Sequence, residues 1–130
     1  MIVDSSAIMA LLLNEPEQEL FNRLLITATA RRMSAGTWIE LAAVTTRRSD
    51  DLSTALNRIM ANFRITIEPV SVEQAEIGHQ AYRKYGIGTT DPAKLNFGDC
   101  FSYALAKAIG EPLLFKGTDF SKTDIIAAAK

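Results

Sequence analysis

Several things are scarce in this 130-residue chain, and each scarcity excludes a class of function. A single cysteine, Cys100, rules out an internal disulfide, so the fold must rest on its core. A single histidine, His79, and no paired Cys/His spacing leave no zinc site of the usual kind. No excess of one charge sign exists: the formal net charge is −1, so no global field advertises a nucleic-acid binder, and any RNA contact must come from a local patch. The longest apolar run, Ala7 to Leu13, is far too short to cross a bilayer. No basic and apolar leader precedes Met1-Ile2-Val3-Asp4, and no repeat, low-complexity tract or Gly/Ser linker interrupts the chain. The expectation is one cytoplasmic domain spanning 1–130, with no membrane association. Its hydrophobic content of 48% is enough to build a core without staples.

What is present reads as short apolar strands alternating with helices. MIVD is a short buried strand ending in an acid, followed by a helix capped by Ser5 or Ser6 and closed by Asn14 and Pro16. Pro16 suits the first turn of a second helix that carries Leu20, Phe21, Leu24 and Leu25 to about Ala30. Arg31–Ser34 reads as a second strand. Thr37 then caps a helix with Ile39, Leu41, Ala42 and Val44 in one broad stripe. A helix over 51–63, a strand at Ile65-Thr66-Ile67 and a helix over 73–85 follow, the last with Ala75, Ile77 and Tyr82 inward and Gly86 as its stop. A polar loop leads to a helix from Gly98-Asp99 to Ile109, then a strand at Leu113–Phe115, and Ile125-Ile126 offers a last short one. This alternation predicts an α/β fold with a parallel sheet covered on both faces, whose ligands bind beyond the carboxyl ends of the strands.

Four acids fall where that rule directs attention. Asp4 ends the first strand, Asp119 follows the strand at 113–115 by a turn containing Gly117, and Asp99 and Glu40 lie in early turns of their helices. Each has an ordinary explanation: Asp4 caps a helix, Asp99 complements a helix dipole, Glu40 is a solvated charge, Asp119 is a turn residue. Four carboxylates together would not stay charged unaided, because two unit charges ~4 Å apart repel by about 4 kcal/mol at an effective dielectric near 20. A hard divalent cation with oxygen ligands, Mg²⁺ or Mn²⁺, relieves that conflict. Such a site suits phosphodiester hydrolysis by metal-activated water.

The segments MIVDSSAI, TWIEL, LNFGDCFSYALAK and PLLFKGTDFSKTDI together resemble the motifs of PIN-domain ribonucleases of the VapC group, in order and from end to end. The resemblance implies a five-stranded parallel sheet of order 3-2-1-4-5, flanked by helices on both faces. It implies that Asp4, Glu40, Asp99 and Asp119 form an acidic quartet for Mg²⁺ or Mn²⁺, with Asp4 and Asp99 the main ligands and Ser6 a hydrogen-bond donor behind them. It further implies an endoribonuclease toxin paired with a VapB-like antitoxin, and a homodimer. One departure is local: the family often carries Gly-Asn-Asp at its fourth acid, whereas this chain has Gly117-Thr118-Asp119, where Thr118 offers a hydroxyl but no amide.

Arg47, Lys94, Lys116 and Lys122 fall in segments near the acids and are the candidate RNA contacts, against the reading that they are solvated cations. Asp124 and His79 read as surface residues, Cys100 as a small buried hydrophobe, and Phe97 and Phe101 as packing beneath the acids. An apolar groove around Ile8, Leu12 and Leu24 could receive the antitoxin, though core packing explains the same residues. Two other functions compete: a degenerate PIN domain that binds RNA or a partner without cutting, and a phosphoacceptor module using a strand-end acid. The complete quartet weighs against the former. The lack of paired N-terminal acids and of a strand-end lysine weighs against the latter.

Overall fold

The computed structural model describes residues 1–129. Strand β1 (Ile2–Val3) lies at the centre of a parallel sheet, between β2 (Arg32–Ser34) and β4 (Leu113–Leu114), with β3 (Thr66–Glu68) outside β2. Among the described residues six helices connect and cover the strands: α1 (Ser5–Leu12), α2 (Gln18–Thr27), α3 (Ala35–Arg48), α4 (Asp50–Asn62), α5 (Val72–Tyr85) and α6 (Asp99–Ile109). A 3₁₀ turn at Phe120–Lys122 follows β4.

The two residues of β1 show why both faces are covered. Neighbouring side chains of a strand point to opposite faces. Ile2 joins one apolar cluster, with Ala81 and Tyr85 of α5 and Tyr103 and Leu105 of α6. Val3 joins the other, with Ile8, Phe21, Leu41 and Leu56 from α1 to α4. Leu113 and Leu114, in register with Ile2 and Val3, divide in the same way. All four are fully buried, each contributing about 1.5–3 kcal/mol relative to exposure.

The sheet order matches expectation for four strands, but the fifth is not a strand. Its place beside β4 holds one parallel bridge, Leu113 to Ala127, made by Leu113 N–H to Ile126 O at 2.9 Å and Ala128 N–H to Leu113 O at 2.8 Å. A two-residue β4 cannot template a longer partner, and Ile126 points outward, 70% exposed.

Several local readings are corrected. Asp4, not Ser5 or Ser6, caps α1, and Ser34, not Thr37, caps α3, its hydroxyl accepting from Gly36 N–H at 3.2 Å. Thr37 is therefore inside α3 and fully buried. Pro16 precedes α2, which starts at Gln18 and ends at Thr27. Ile39 is 67% exposed and leaves the α3 stripe. On α5 the buried face is Gln74, Gly78, Ala81 and Tyr85, while Ala75 and Tyr82 point into an open apolar groove between α5 and α6. Phe97, 74% exposed, overhangs that groove edge-on to Phe101, with ring centroids 5.1 Å apart, rather than packing beneath the acids.

Candidate active site

Asp4 occupies the point where β1 becomes α1. Its N–H donates to Leu114 O at 2.9 Å, continuing the sheet ladder, and its extended backbone (φ −83°, ψ 158°) suits an N-cap. The carboxylate accepts from Ser6 N–H at 3.0 Å and Ser6 Oγ at 2.6 Å on Oδ2, and from Ser102 Oγ at 2.5 Å on Oδ1. The capping explanation of Asp4 is thus correct, but a lone cap is usually solvated and this one is 4% exposed. Ser6 Oγ also accepts from Lys116 N–H at 3.0 Å, tying the chain beyond β4 to the same carboxylate.

Asp99 opens α6. Its Oδ2 accepts from Asn96 N–H at 3.0 Å, while its own N–H donates to Asn96 Oδ1 at 2.9 Å, a reciprocal pair that fixes the helix start. Burial lifts its carboxyl from an ordinary 3.8 to about 6, and the charges of Asp4, Asp119 and Glu40 push the same way against the Asn96 amide. Glu40, in the second turn of α3, is also raised, first by burial, then by Asp4, with the Ser5 hydroxyl opposing at 3.5 Å. Glu40 is exposed overall, yet its carboxyl end lies against the start of α6: a Cβ built on Gly98 would stand 2.0 Å from Glu40 Oε2. Gly98 is the notch that admits this carboxylate.

Asp119 is exposed, after a turn that Gly117 makes at φ 103°. Thr118 is exposed and contributes its backbone oxygen to Ser121 Oγ at 2.6 Å. The fold therefore brings four acids, distant in sequence, within electrostatic reach at the carboxyl ends of β1 and β4. They do not form a closed cage: among the described residues no three Asp, Glu, His or Cys side chains are grouped tightly enough to enclose an ion.

The cations are distributed unevenly. Arg47, in the last turn of α3, and Lys94, in the loop before α6, are exposed. Lys122 reaches Pro92 O at 3.5 Å. Lys116 Nζ is engaged by Glu15 and by Glu17, the latter at 3.3 Å. Asp124 is held by Tyr103 Oη at 2.6 Å and Lys107 Nζ at 2.9 Å. Cys100 is buried, its thiol pushed up to about 11 by burial and by Asp99. Ile8 is wholly internal, so the groove imagined around it is core.

Residues 1–126 match the PIN domain family model. The chain belongs to the VapC group of PIN-domain ribonucleases. It is 44% identical over 126 residues to ribonuclease VapC42 of Mycobacterium tuberculosis, covering 96% of both chains. Ribonuclease VapC28 of the same organism is 42% identical over 126 residues, covering 96% of this chain and 95% of its own. Ribonuclease VapC of Mycolicibacterium smegmatis is 40% identical over 128 residues, covering 98% of each. Among solved structures, M. tuberculosis VapC20, a sarcin-ricin loop cleaving toxin, superposes with a TM-score of 0.75 at 20% identity. It covers 99% of this chain and 98% of its own, a likeness of fold.

The candidate site of this VapC-group chain involves three further residues that the sequence reading does not assign to it: Gly98, Ser102 and Thr37. The signal for Ser102 was a hydroxyl inside the otherwise apolar run of LNFGDCFSYALAK, three residues after Asp99. Thr37, three residues before Glu40, carries a hydroxyl too, but from sequence alone it reads as a helix cap.

Proposed function

We propose that residues 1–130 act as one PIN domain, a Mg²⁺- or Mn²⁺-dependent endoribonuclease in which Asp4, Glu40, Asp99 and Asp119 form the acidic centre. The observation that carries this reading is the gathering of four acids beyond the sheet edge, where the Asp99 carboxyl is raised, first by burial and then by the charges of Asp4, Asp119 and Glu40. An arrangement that costs stability in this way calls for a positive charge from outside the chain. The donor set fits a hard divalent ion, being all oxygen, and an ion that retains several waters needs only one or two carboxylates directly, so an open site suffices. When bound, it supplies an acidified water and offsets the charge that builds on the phosphoryl oxygens.

The chain's own residues divide the remaining work. Asp4, oriented by Ser6, and Asp99, fixed by Asn96, are the principal ligands. Glu40, its carboxyl raised by burial and by Asp4, is suited to take a proton from the attacking water. Asp119 and Thr118 close the rim from the β4 side. Arg47, Lys94 and Lys122 face solvent and supply RNA-phosphate contacts, whereas Lys116 serves through its backbone N–H.

We further propose a VapB-like antitoxin as partner and a homodimer as the working unit; exposed Ile39 and Phe97 support the latter as uncovered apolar surface. A cytoplasmic location agrees with there being no described helix long and apolar enough to cross a membrane.

The test is RNA cleavage by the purified protein in Mg²⁺, Mn²⁺ or EDTA, with Asp4→Ala and Asp99→Ala as controls of verified fold. Metal-dependent cutting lost in both variants is expected. Intact tRNA and rRNA in both metals would instead indicate a binding module.

A further inference from the structure

We propose that Ser102 and Thr37 are positioning residues: a buried chain of hydroxyls, Thr37 to Ser102 to Asp4, fixes the Asp4 carboxylate for the cation. The inference rests on the metal-dependent reading above and adds to it two residues outside the acidic quartet.

Ser102 Oγ stands 2.5 Å from Asp4 Oδ1 and 3.1 Å from Thr37 Oγ1, with Ser102 and Thr37 at 0% and 1% exposure. Proton counting sets the direction. An ionised carboxylate can only accept, so the single Ser102 proton goes to Asp4, and the Thr37 hydroxyl must donate to Ser102. Each hydroxyl in the chain is thereby aligned by the one behind it, and the last is aimed at the carboxylate.

The ordinary use of a hydroxyl inside a helix is a bond to a carbonyl of its own preceding turn. Thr45, equally buried on α3, does this, with Leu41 O at 3.1 Å and Ala42 O at 3.0 Å. Thr37 and Ser102 instead direct their bonds between elements, α3 to α6 and α6 to the end of β1. The spacing adds meaning. Thr37 is three residues before Glu40 on α3, and Ser102 is three residues after Asp99 on α6, so each shares a helix face with an acid. The hydroxyl chain is a tier beneath the acidic tier, joining the three elements that carry Asp4, Glu40 and Asp99.

The acceptor count of Asp4 supports a positioning role. Oδ2 receives both the N–H and the hydroxyl of Ser6, while Oδ1 receives Ser102 alone. Of about four acceptor positions on a carboxylate, the one left open is on the oxygen that Ser102 fixes.

The experiment measures Mn²⁺ binding by the RNA-free protein, from the electron paramagnetic resonance signal of free Mn²⁺, alongside kcat and KM for RNA. The proteins are the wild type, Thr37→Val, Thr37→Ser and Ser102→Ala, each with its melting temperature. Valine keeps the shape of threonine without the donor, which guards against a failure of Ser102→Ala to fold. Ser102→Ala is expected to weaken Mn²⁺ by about tenfold or more, the scale seen for groups that orient ligands, and Thr37→Val, one bond further from the carboxylate, by a smaller factor. kcat falls at limiting Mn²⁺ and recovers at excess, KM for RNA stays put, and Thr37→Ser restores binding. Folded Thr37→Val and Ser102→Ala proteins binding Mn²⁺ as tightly as an active wild type would overturn this inference and leave the nuclease standing. Equal weakening in Thr37→Ser and Thr37→Val would also overturn it, by showing that shape rather than the hydroxyl matters. A wild type that neither binds Mn²⁺ nor cuts RNA would remove both.

Discussion

Replacing Asp99 by Asn will stabilise the metal-free protein at neutral pH, and will do so only there. A carboxyl whose folded-state pKa is raised above its unfolded value binds its proton more tightly when folded. Its contribution is therefore complete below about pH 4 and is lost as the pH rises through about 6, the folded value. The rise from 3.8 to about 6 corresponds to about 3 kcal/mol at the full conversion. Asp99 is only half-buried, and solvent screening reduces that to about 1–2 kcal/mol. Asparagine retains an oxygen for Asn96 N–H, so the hydrogen bond at 3.0 Å survives. It forfeits the favourable charge in the first turn of α6, worth about 0.3–1 kcal/mol. The net expectation is a gain of about 1 kcal/mol at pH 7.5, or about 4 °C in Tm for a chain of this length. Urea unfolding in EDTA at pH 7.5 and 4.5, on both proteins, reads the effect: groups remote from Asp99 cancel in the difference, and the relief of Asp4, Glu40 and Asp119 from its charge is part of what is measured. The gain should shrink toward zero at pH 4.5. A variant less stable than the wild type at pH 7.5, or a difference equal at both pH values, would refute the reasoning. Saturating Mg²⁺ reverses the order if Asp99 is a ligand, adding about 2.7 kcal/mol to the wild type at a hundred times Kd.

Gly98→Ala will fold with a near-normal Tm, since φ −62° suits alanine, yet will expel the Glu40 carboxylate that lies 2.0 Å from the new Cβ. Cleavage is expected to fall by about a hundredfold, and Glu40→Ala added to Gly98→Ala to cost little more, because both remove one arrangement. Cys100 will resist iodoacetamide at pH 7.5 in the folded protein and react once the chain is unfolded in urea, which mass spectrometry reads directly. Arg47→Ala and Lys94→Ala will each weaken RNA binding and reduce the slope of log Kd against log salt by about 0.7, the single-strand value per phosphate contact. Unchanged slopes would reassign both as plain surface charge.

Legibility in the sequence followed the range of the interaction. The strand at β1, the alternation of elements and the left-handed stop of α6 at Gly110, φ 77°, depend on neighbours a few residues away, and local pattern shows them. Caps misled where two hydroxyls competed. Thr37 and Ser34 are both N-cap types, and only the sheet register that places Ser34 at the end of β2 decides between them. Ala75 and Tyr82 misled because a helix between a core and an open groove has two apolar faces, and periodicity does not say which is covered. For Asp4 the ordinary and the functional explanations proved compatible: the residue caps α1 and faces the other acids at once.

By itself, the sequence determined which elements form and which residue types are available. That was enough for a parallel α/β sheet and for four acids at element ends with no Cys/His alternative. Only the tertiary structure decided what those acids meet. Asp4 and Ser102 are 98 positions apart, and Glu40 reaches its notch at Gly98 across 58 positions. The reason is physical. Hydrogen bonding and charge repulsion act over a few ångströms of space, and separation along the chain becomes nearness only when burial of Ile2, Val3, Leu113 and Leu114 sets the strands side by side.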